Sequence, residues 1–328
     1  MEKLLSIIIP AYNEEANIPI LYENICSIMN TESIPFECIL IDDCSSDNTF
    51  AVAEVIAEKD IRIRIIRFAR NSGSHIAIRC GLSHCCGQMA VVMAADMQDM
   101  PSLIPVLYKA VEAGSDIVWA IRAGREGESL MTKLLSRIFS WIMRYIVGLQ
   151  YLPPTGSDFF CISRKVIDAL AQFREQNLNI FALLYWLGFN QKQIEYVKQP
   201  RLHGISGWTL RKKLKMAVDS VVSFSFFPIR FLSLLGTITA IVGFLYALVI
   251  IFRNLFRSSP VMGWSSIMVA VLILGGAILV MIGILGEYIW RNLDEARARP
   301  LYVIDRTVNA ISTSVNNQTS SVSNNYQC

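Results

Sequence analysis

Ser6-Ile7-Ile8-Ile9-Pro10-Ala11-Tyr12-Asn13-Glu14-Glu15 passes from a run of isoleucines to an amide and two carboxylates with no linker between them. Such a run reads as a strand buried on both faces, and its abrupt polar end as a loop facing water or a ligand. The same transition recurs twice further along. Glu37 to Asp42 ends in Asp42-Asp43, and Ala90 to Ala95 ends in Asp96, Gln98 and Asp99. Carboxylates directly after a buried strand are costly unless they reach water, a hydrogen-bond donor or a cation. Three such strand ends favour one shared polar site.

Around these runs, Leu5 to Pro10, Ile61 to Phe68 and Ile117 to Ala120 complete a set of five strands, while Glu14 to Met29, Asn48 to Glu58, His75 to Cys85 and Leu103 to Ala113 read as helices. This alternation predicts an α/β, Rossmann-like fold with a mostly parallel sheet. Ligands in such sheets bind beyond the carboxyl ends of the strands, where the polar residues cluster.

The 328 residues are 53% hydrophobic with a mean hydropathy of +0.42, high for a soluble chain. Most of the excess lies in Phe231 to Ile251 and Ile267 to Ile289, each long enough to cross roughly 30 Å of hydrocarbon as a helix. The short loop between them predicts a hairpin. Arg211, Lys212, Lys213, Lys215, Arg230, Arg291, Arg297 and Arg299 outnumber Arg253 and Arg257 of that loop, so both ends are expected on the cytoplasmic side. Glu287 and Arg291, four residues apart, suit an interfacial ion pair. Residues 129–150 place Leu134, Ile138, Trp141, Ile142 and Tyr145 at helical spacing beside Lys133, Arg137 and Arg144, which fits either a membrane-interface helix or a core-packing one. Residues 208–227 read likewise and lead into the first span.

The expected organisation is a cytoplasmic catalytic domain over 1–204, an interfacial segment over 205–230, two spans at about 231–252 and 265–289, and a tail over 292–328 with a disordered end. Met1 to Pro10 lack the features of a signal peptide. The eight cysteines form no CxxC pair and read as reduced thiols. A net charge of +3 is too small to argue for a nucleic-acid partner.

The order of motifs is specific. The opening stretch, Ile41-Asp42-Asp43-Cys44-Ser45-Ser46-Asp47-Asn48-Thr49, Arg70-Asn71-Ser72-Gly73, Asp96-Met97-Gln98-Asp99, Ser157-Asp158-Phe159 and Arg201-Leu202-His203-Gly204-Ile205-Ser206-Gly207-Trp208 resemble the family 2 glycosyltransferases of GT-A fold. With the terminal hairpin, the pattern is similar to the polyprenyl-phosphate glycosyltransferases, the bactoprenol glucosyltransferases and dolichol-phosphate mannose synthases among them. The resemblance implies that Pro10, Tyr12 and Glu14 hold the nucleoside, with Asn71 and with Asp42 or Asp43 on base and ribose. Asp42-Asp43 also suit turn and helix-cap duty ahead of Asn48. Asp96 and Gln98 are implied ligands of Mg²⁺ or Mn²⁺, with Ala94 standing where many members carry another Asp. Metal binding is therefore expected to strengthen with the nucleotide sugar. Arg122, Arg125, Lys133, Ser136 and Arg137 suit a lipid phosphate, which needs cations more than a general base. Asp158 takes acceptor orientation or base duty, and a carboxylate there needs the sugar or an Arg beside it. Arg201 and Ser206 are implied to close over the diphosphate, next to Arg122.

Two rivals share the fold. A processive polysaccharide synthase would carry a QxxRW motif and more spans, whereas this chain has Gln199-Pro200-Arg201-Leu202-His203 and one hairpin. A non-catalytic lipid-carrier scaffold would not need the Asp43, Asp96, Gln98 and Arg201 set. The expected substrates are a UDP-sugar, UDP-glucose first, and undecaprenyl or another polyprenyl phosphate at the inner (plasma) membrane, serving cell-envelope glycan modification such as that of O-antigen. The resemblance also implies a homo-oligomer, a tetramer, and a downstream flippase and second glycosyltransferase.

Overall fold

The computed structural model of the chain describes residues 3–122, 145, 158–173, 175, 179–197, 227–256 and 263–309. Strands β1 (Leu5–Ala11), β2 (Phe36–Asp42), β3 (Ile63–Phe68), β4 (Met89–Val92), β5 (Ile117–Arg122), β6 (Phe159–Ser163), β7 (Gln191–Tyr196) and β8 (Ile304–Val308) form one sheet in the order β7-β5-β6-β4-β1-β2-β3-β8. β6 runs antiparallel to β4 and β5, and β8 antiparallel to β3; the remaining pairs are parallel. All seven residues of β2 are buried, as are six of β1, which is why both read as unbroken apolar runs rather than alternating ones.

Helices α1 (Ile18–Thr31), α2 (Thr49–Lys59), α3 (Ser74–Ser83) and α4 (Ile104–Glu112) cover the sheet. In α1 the buried residues Ile18, Leu21, Tyr22, Ile25 and Met29 recur every three or four positions. The helix begins at Ile18, later than the Glu14 expected from the sequence. Pro19 fits only the first turn of a helix, and residues 13–15 are held instead by the loop after β2. α3 packs so tightly on β1 and β2 that a Cβ on Gly81 would lie 2.4 Å from the Ile8 side chain.

β1 and β2 lie on one side of a switch point and β4 on the other. β4 leaves β1 after pairing Ile8 with Val92, and Met93 N–H makes a last bond to Ile8 O. Pro10 lies two residues further along the same edge. Its missing N–H therefore costs no ladder bond, because the neighbour has already left. The gap so formed is where open α/β sheets bind ligands.

Short helices α5 (Arg164–Leu170) and α6 (Ile180–Trp186) follow β6, and two long helices, α7 (Phe227–Phe256) and α8 (Trp264–Ala296), follow β7. The chain forms two compact units, 1–217 with 300–328, and 218–299. Among the described residues, Leu274–Asp294 is long and apolar enough to cross a membrane, and its most apolar window has no buried residues; Gly236–Tyr246 is a shorter apolar stretch.

Residues 292–328 are not simply a tail. α8 continues to Ala296, and β8 extends the edge of the catalytic sheet beyond β3. Tyr302 stacks on Phe68 at 5.1 Å and 9°, and Asn309 Nδ2 donates to Ala57 O and Ile63 O. Four exposed side chains in β8 hide this strand from a pattern reading.

Candidate active site

Three loops at the carboxyl ends of β1, β2 and β4 carry the carboxylates that the sequence singles out. Each loop contains a non-glycine residue with positive φ: Asn13 at 57°, Cys44 at 59° and Met97 at 58°. Such backbone is unfavourable for these residues and persists where surrounding bonds over-determine it. The first two loops are zipped together. Asn13 and Glu14 N–H groups donate to Ser45 Oγ and Thr49 Oγ1, Ser46 N–H donates to Asn13 Oδ1, and Asn17 Nδ2 donates to Glu14 Oε2. Tyr12 projects from this join, 48% exposed.

Asp42 and Asp43 have different duties. Asp42 is wholly buried; its Oδ1 accepts Ser45 N–H, and its Oδ2 lies 3.5 Å from Arg67 Nε. Asp43 Oδ1 and Oδ2 accept the N–H groups of Ser72 and Gly73 at 2.6 and 2.8 Å, while Asn71 Nδ2 donates to Asp43 O. Gly73 has φ of 91°, a conformation that brings its N–H to the carboxylate at no side-chain cost. Burial raises the Asp43 pKa, against the lowering by these two bonds. Asp42 serves the turn through its bond from Ser45, but neither aspartate caps α2: the N-cap is Asn48, with no side-chain cap bond, and Asp47 Oδ1 accepts Thr49 N–H one residue inside it.

In the third loop, buried Asp96 accepts Gln98 N–H through Oδ1 at 3.2 Å. Asp99, wholly buried, accepts Tyr196 O–H and Ala94 N–H. At the ends of β5 and β6, Arg122 Nη2 stands 3.4 Å from Asp158 Oδ1. The arginine that a carboxylate at this place requires is therefore Arg122. Burial tends to lower the Arg122 pKa, but Asp158, Tyr196 and Asp99 raise it overall. Arg125, Lys133, Ser136, Arg137, Arg201 and Ser206 lie outside the described residues, as do the two predicted interfacial segments apart from Tyr145 and the residues from Phe227 on, which begin α7.

The fold and the strand-end carboxylates are those of a GT-A glycosyltransferase. Residues 6–171 match the family described as Glycosyl transferase family 2, and the chain belongs to it. It is 34% identical over 302 residues to an uncharacterized glycosyltransferase, YkcC, of Bacillus subtilis (strain 168), covering 92% of this chain and 93% of that one. It is 31% identical over 303 residues to the SfII prophage-derived bactoprenol glucosyl transferase of Shigella flexneri, covering 92% and 98%. Its fold is similar to that of glucosyl-3-phosphoglycerate synthase from Mycobacterium tuberculosis, solved with Mn²⁺, UDP-glucose and phosphoglyceric acid, with a TM-score of 0.50 at 17% identity over 67% and 79% of the two chains. The chain is thus an enzyme of the hexosyltransferase class.

Two residues of the cluster escaped the sequence reading. Tyr196 ends a strand, Gln191–Tyr196, too polar to read as one. Asp99 was legible only as one more strand-end carboxylate. The tie between them spans 97 residues and gives no local signal.

Proposed function

We propose that the chain transfers a monosaccharide, with inversion, from a UDP-sugar to undecaprenyl or another polyprenyl phosphate at the cytoplasmic face of the plasma membrane. The observation that carries this reading is the union of a strand-end carboxylate site with an apolar helical unit. The chain leaves the catalytic unit at Ala217 and re-enters it at Pro300. Since β8 belongs to the catalytic sheet, a bilayer crossed by the intervening unit is crossed an even number of times. α7 and α8 supply two crossings, a hairpin. Phe244 and Leu279 are 66% and 71% exposed, a cost in water that hydrocarbon removes. Arg297 lies over the Trp290 ring at 5.5 Å near the end of α8, a pairing suited to the headgroup region. The bactoprenol glucosyl transferases among the relatives support the lipid acceptor, and UDP-glucose is the first donor to test.

In this reading Pro10, Tyr12, Glu14, Asp43 and Asn71 hold the nucleoside, with Asp42 supporting the loop from behind. Asp96 and Gln98 offer hard oxygen donors that fit Mg²⁺ or Mn²⁺. Among the described residues no three His, Cys, Asp or Glu side chains form a metal group, so substrate phosphates would complete the ligand set. The cation supplies charge that stabilises the departing diphosphate. An ionised phosphate oxygen of the acceptor attacks the anomeric carbon; the new C–O bond forms as the bond to the diphosphate breaks, and UDP leaves. The nucleophile carries no proton to be removed, so Asp158, held by Arg122, orients the acceptor side rather than serving as base. Arg122, Arg125, Lys133, Ser136 and Arg137 meet the lipid phosphate, and Arg201 and Ser206 close on the diphosphate. A homotetramer feeding a flippase and a second glycosyltransferase completes the reading.

The test is incubation of the detergent-solubilised chain with radiolabelled UDP-glucose, Mn²⁺ and undecaprenyl phosphate, followed by mass spectrometry of the lipid fraction. A labelled monosaccharyl lipid is expected. A polymer, or no product from a panel of nucleotide sugars, would set the reading aside.

A further inference from the structure

A polar cluster joins the carboxyl ends of β4, β5 and β7 to the amino end of β6, which runs antiparallel to β4 and β5. Tyr196, the last residue of β7 and 5% exposed, donates its phenol O–H to Asp99 Oδ1 at 2.5 Å. The other carboxylate oxygen, Oδ2, accepts Ala94 N–H at 3.4 Å. Asp99 therefore spans its own loop: its main chain ends the segment 94–99 while its side chain holds the start. Asp96 and Gln98 lie between, on either side of Met97 in its positive-φ conformation. A carboxylate buried this completely is expensive, and packing alone would be met more cheaply by an apolar side chain.

The same tyrosine reaches the other half of the site. Tyr196 stands in register with Arg122 across β5 and β7, and Arg122 faces Asp158. Tyr196 thus links, through its hydroxyl on Asp99 and its backbone register with Arg122, the loop that carries Asp96 and Gln98 to the end of β5, where Arg122 faces Asp158.

We propose that Tyr196 and Asp99 are positioning residues that clasp the 94–99 loop, presenting Asp96 and Gln98 to a divalent cation at a fixed distance from Arg122. This rests on the reading of the site as a metal-assisted sugar transferase. Asp99 sets the loop, and Tyr196 sets where the loop stands relative to the end of β5.

The experiment is a Mn²⁺ titration of the full-length, solubilised chain in the presence of UDP, read by electron paramagnetic resonance, with unfolding midpoints measured alongside. Tyr196→Phe, which removes one oxygen, is expected to weaken Mn²⁺ binding roughly tenfold, the scale of losing a hydrogen bond to a charged buried group. It should raise KM for the UDP-sugar more than it lowers kcat. Asp99→Asn should act in the same direction, and the double variant should be no worse than the poorer single one, because both remove one unit. Folded Tyr196→Phe with wild-type Mn²⁺ affinity and wild-type KM would overturn the proposal. Should Tyr196→Phe fold poorly, Asp99→Asn keeps the side-chain volume, and wild-type affinity there overturns it equally. Wild-type protein that binds Mn²⁺ with UDP but forms no glycosyl lipid would defeat the acceptor assignment and leave the clasp standing. Wild-type protein that binds no Mn²⁺ with UDP would defeat both.

Discussion

Asp43→Asn separates stability from function at the second strand end. The carboxylate accepts two backbone N–H groups, from Ser72 and Gly73. An amide can accept only one of them, and its NH₂ would face the other donor. Losing one charge-assisted bond and weakening the second costs roughly 2–4 kcal/mol. Against this, burial is the leading influence on Asp43 and raises its pKa despite both bonds, so a neutral side chain escapes a desolvation cost of similar order. The net change in stability is expected within about 1 kcal/mol, or about 2–4 °C in the unfolding midpoint of a domain this size. The 70–73 loop, however, loses one of its two ties to the carboxylate. UDP affinity by calorimetry should fall at least roughly tenfold, the scale of about 1.4 kcal/mol. Unchanged UDP affinity would show that the clamped loop is no part of the nucleotide site. A midpoint lowered by more than roughly 10 °C would show that the offset between burial and hydrogen bonding has been misjudged.

Chelation with EDTA should abolish turnover, and Mn²⁺ or Mg²⁺ should restore it in the wild type but not in Asp96→Ala, whose kcat should fall by roughly a hundredfold or more. Burial holds the His75 pKa down at about 4, against an ordinary 6.5. The folded state thus stays neutral where the unfolded chain takes up a proton, and stability is lost as pH falls from about 6.5 towards about 4. Urea titrations at pH 7 and pH 4.5 should differ by on the order of 2 kcal/mol more in the wild type than in His75→Gln. Tyr302→Ala removes the stack on Phe68 and the contact with Ser83 Oγ; it should cost about 2 kcal/mol by chemical denaturation.

The sequence exposed most of what lies on single strands and little of what lies between them. β1, β2 and β4 announce themselves because burial on both faces demands unbroken apolar runs, and their polar ends follow at once. Asp96 and Gln98 were legible for the same reason. β7 and β8 were not, since edge strands with exposed polar faces obey no strong pattern. Nor does any local signal distinguish Asp42, enclosed against Arg67, from Asp43, turned to the 70–73 loop. Neighbours in the chain, they diverge because Asp42 ends the strand and Asp43 begins the loop. The pairing of Arg122 with Asp158 depends on β6 entering antiparallel between β4 and β5, a placement that spacing cannot reveal.

The position of β8 imposes an order of events on biosynthesis. Its residues are made after both long helices, so the outer edge of β3 has no partner in its own chain until α7 and α8 have been translated. An open edge is a template for wrong pairings. Synthesis of the two helices and closure of the sheet are thus consecutive steps, and Phe68 gains its stacking partner Tyr302 only in the second.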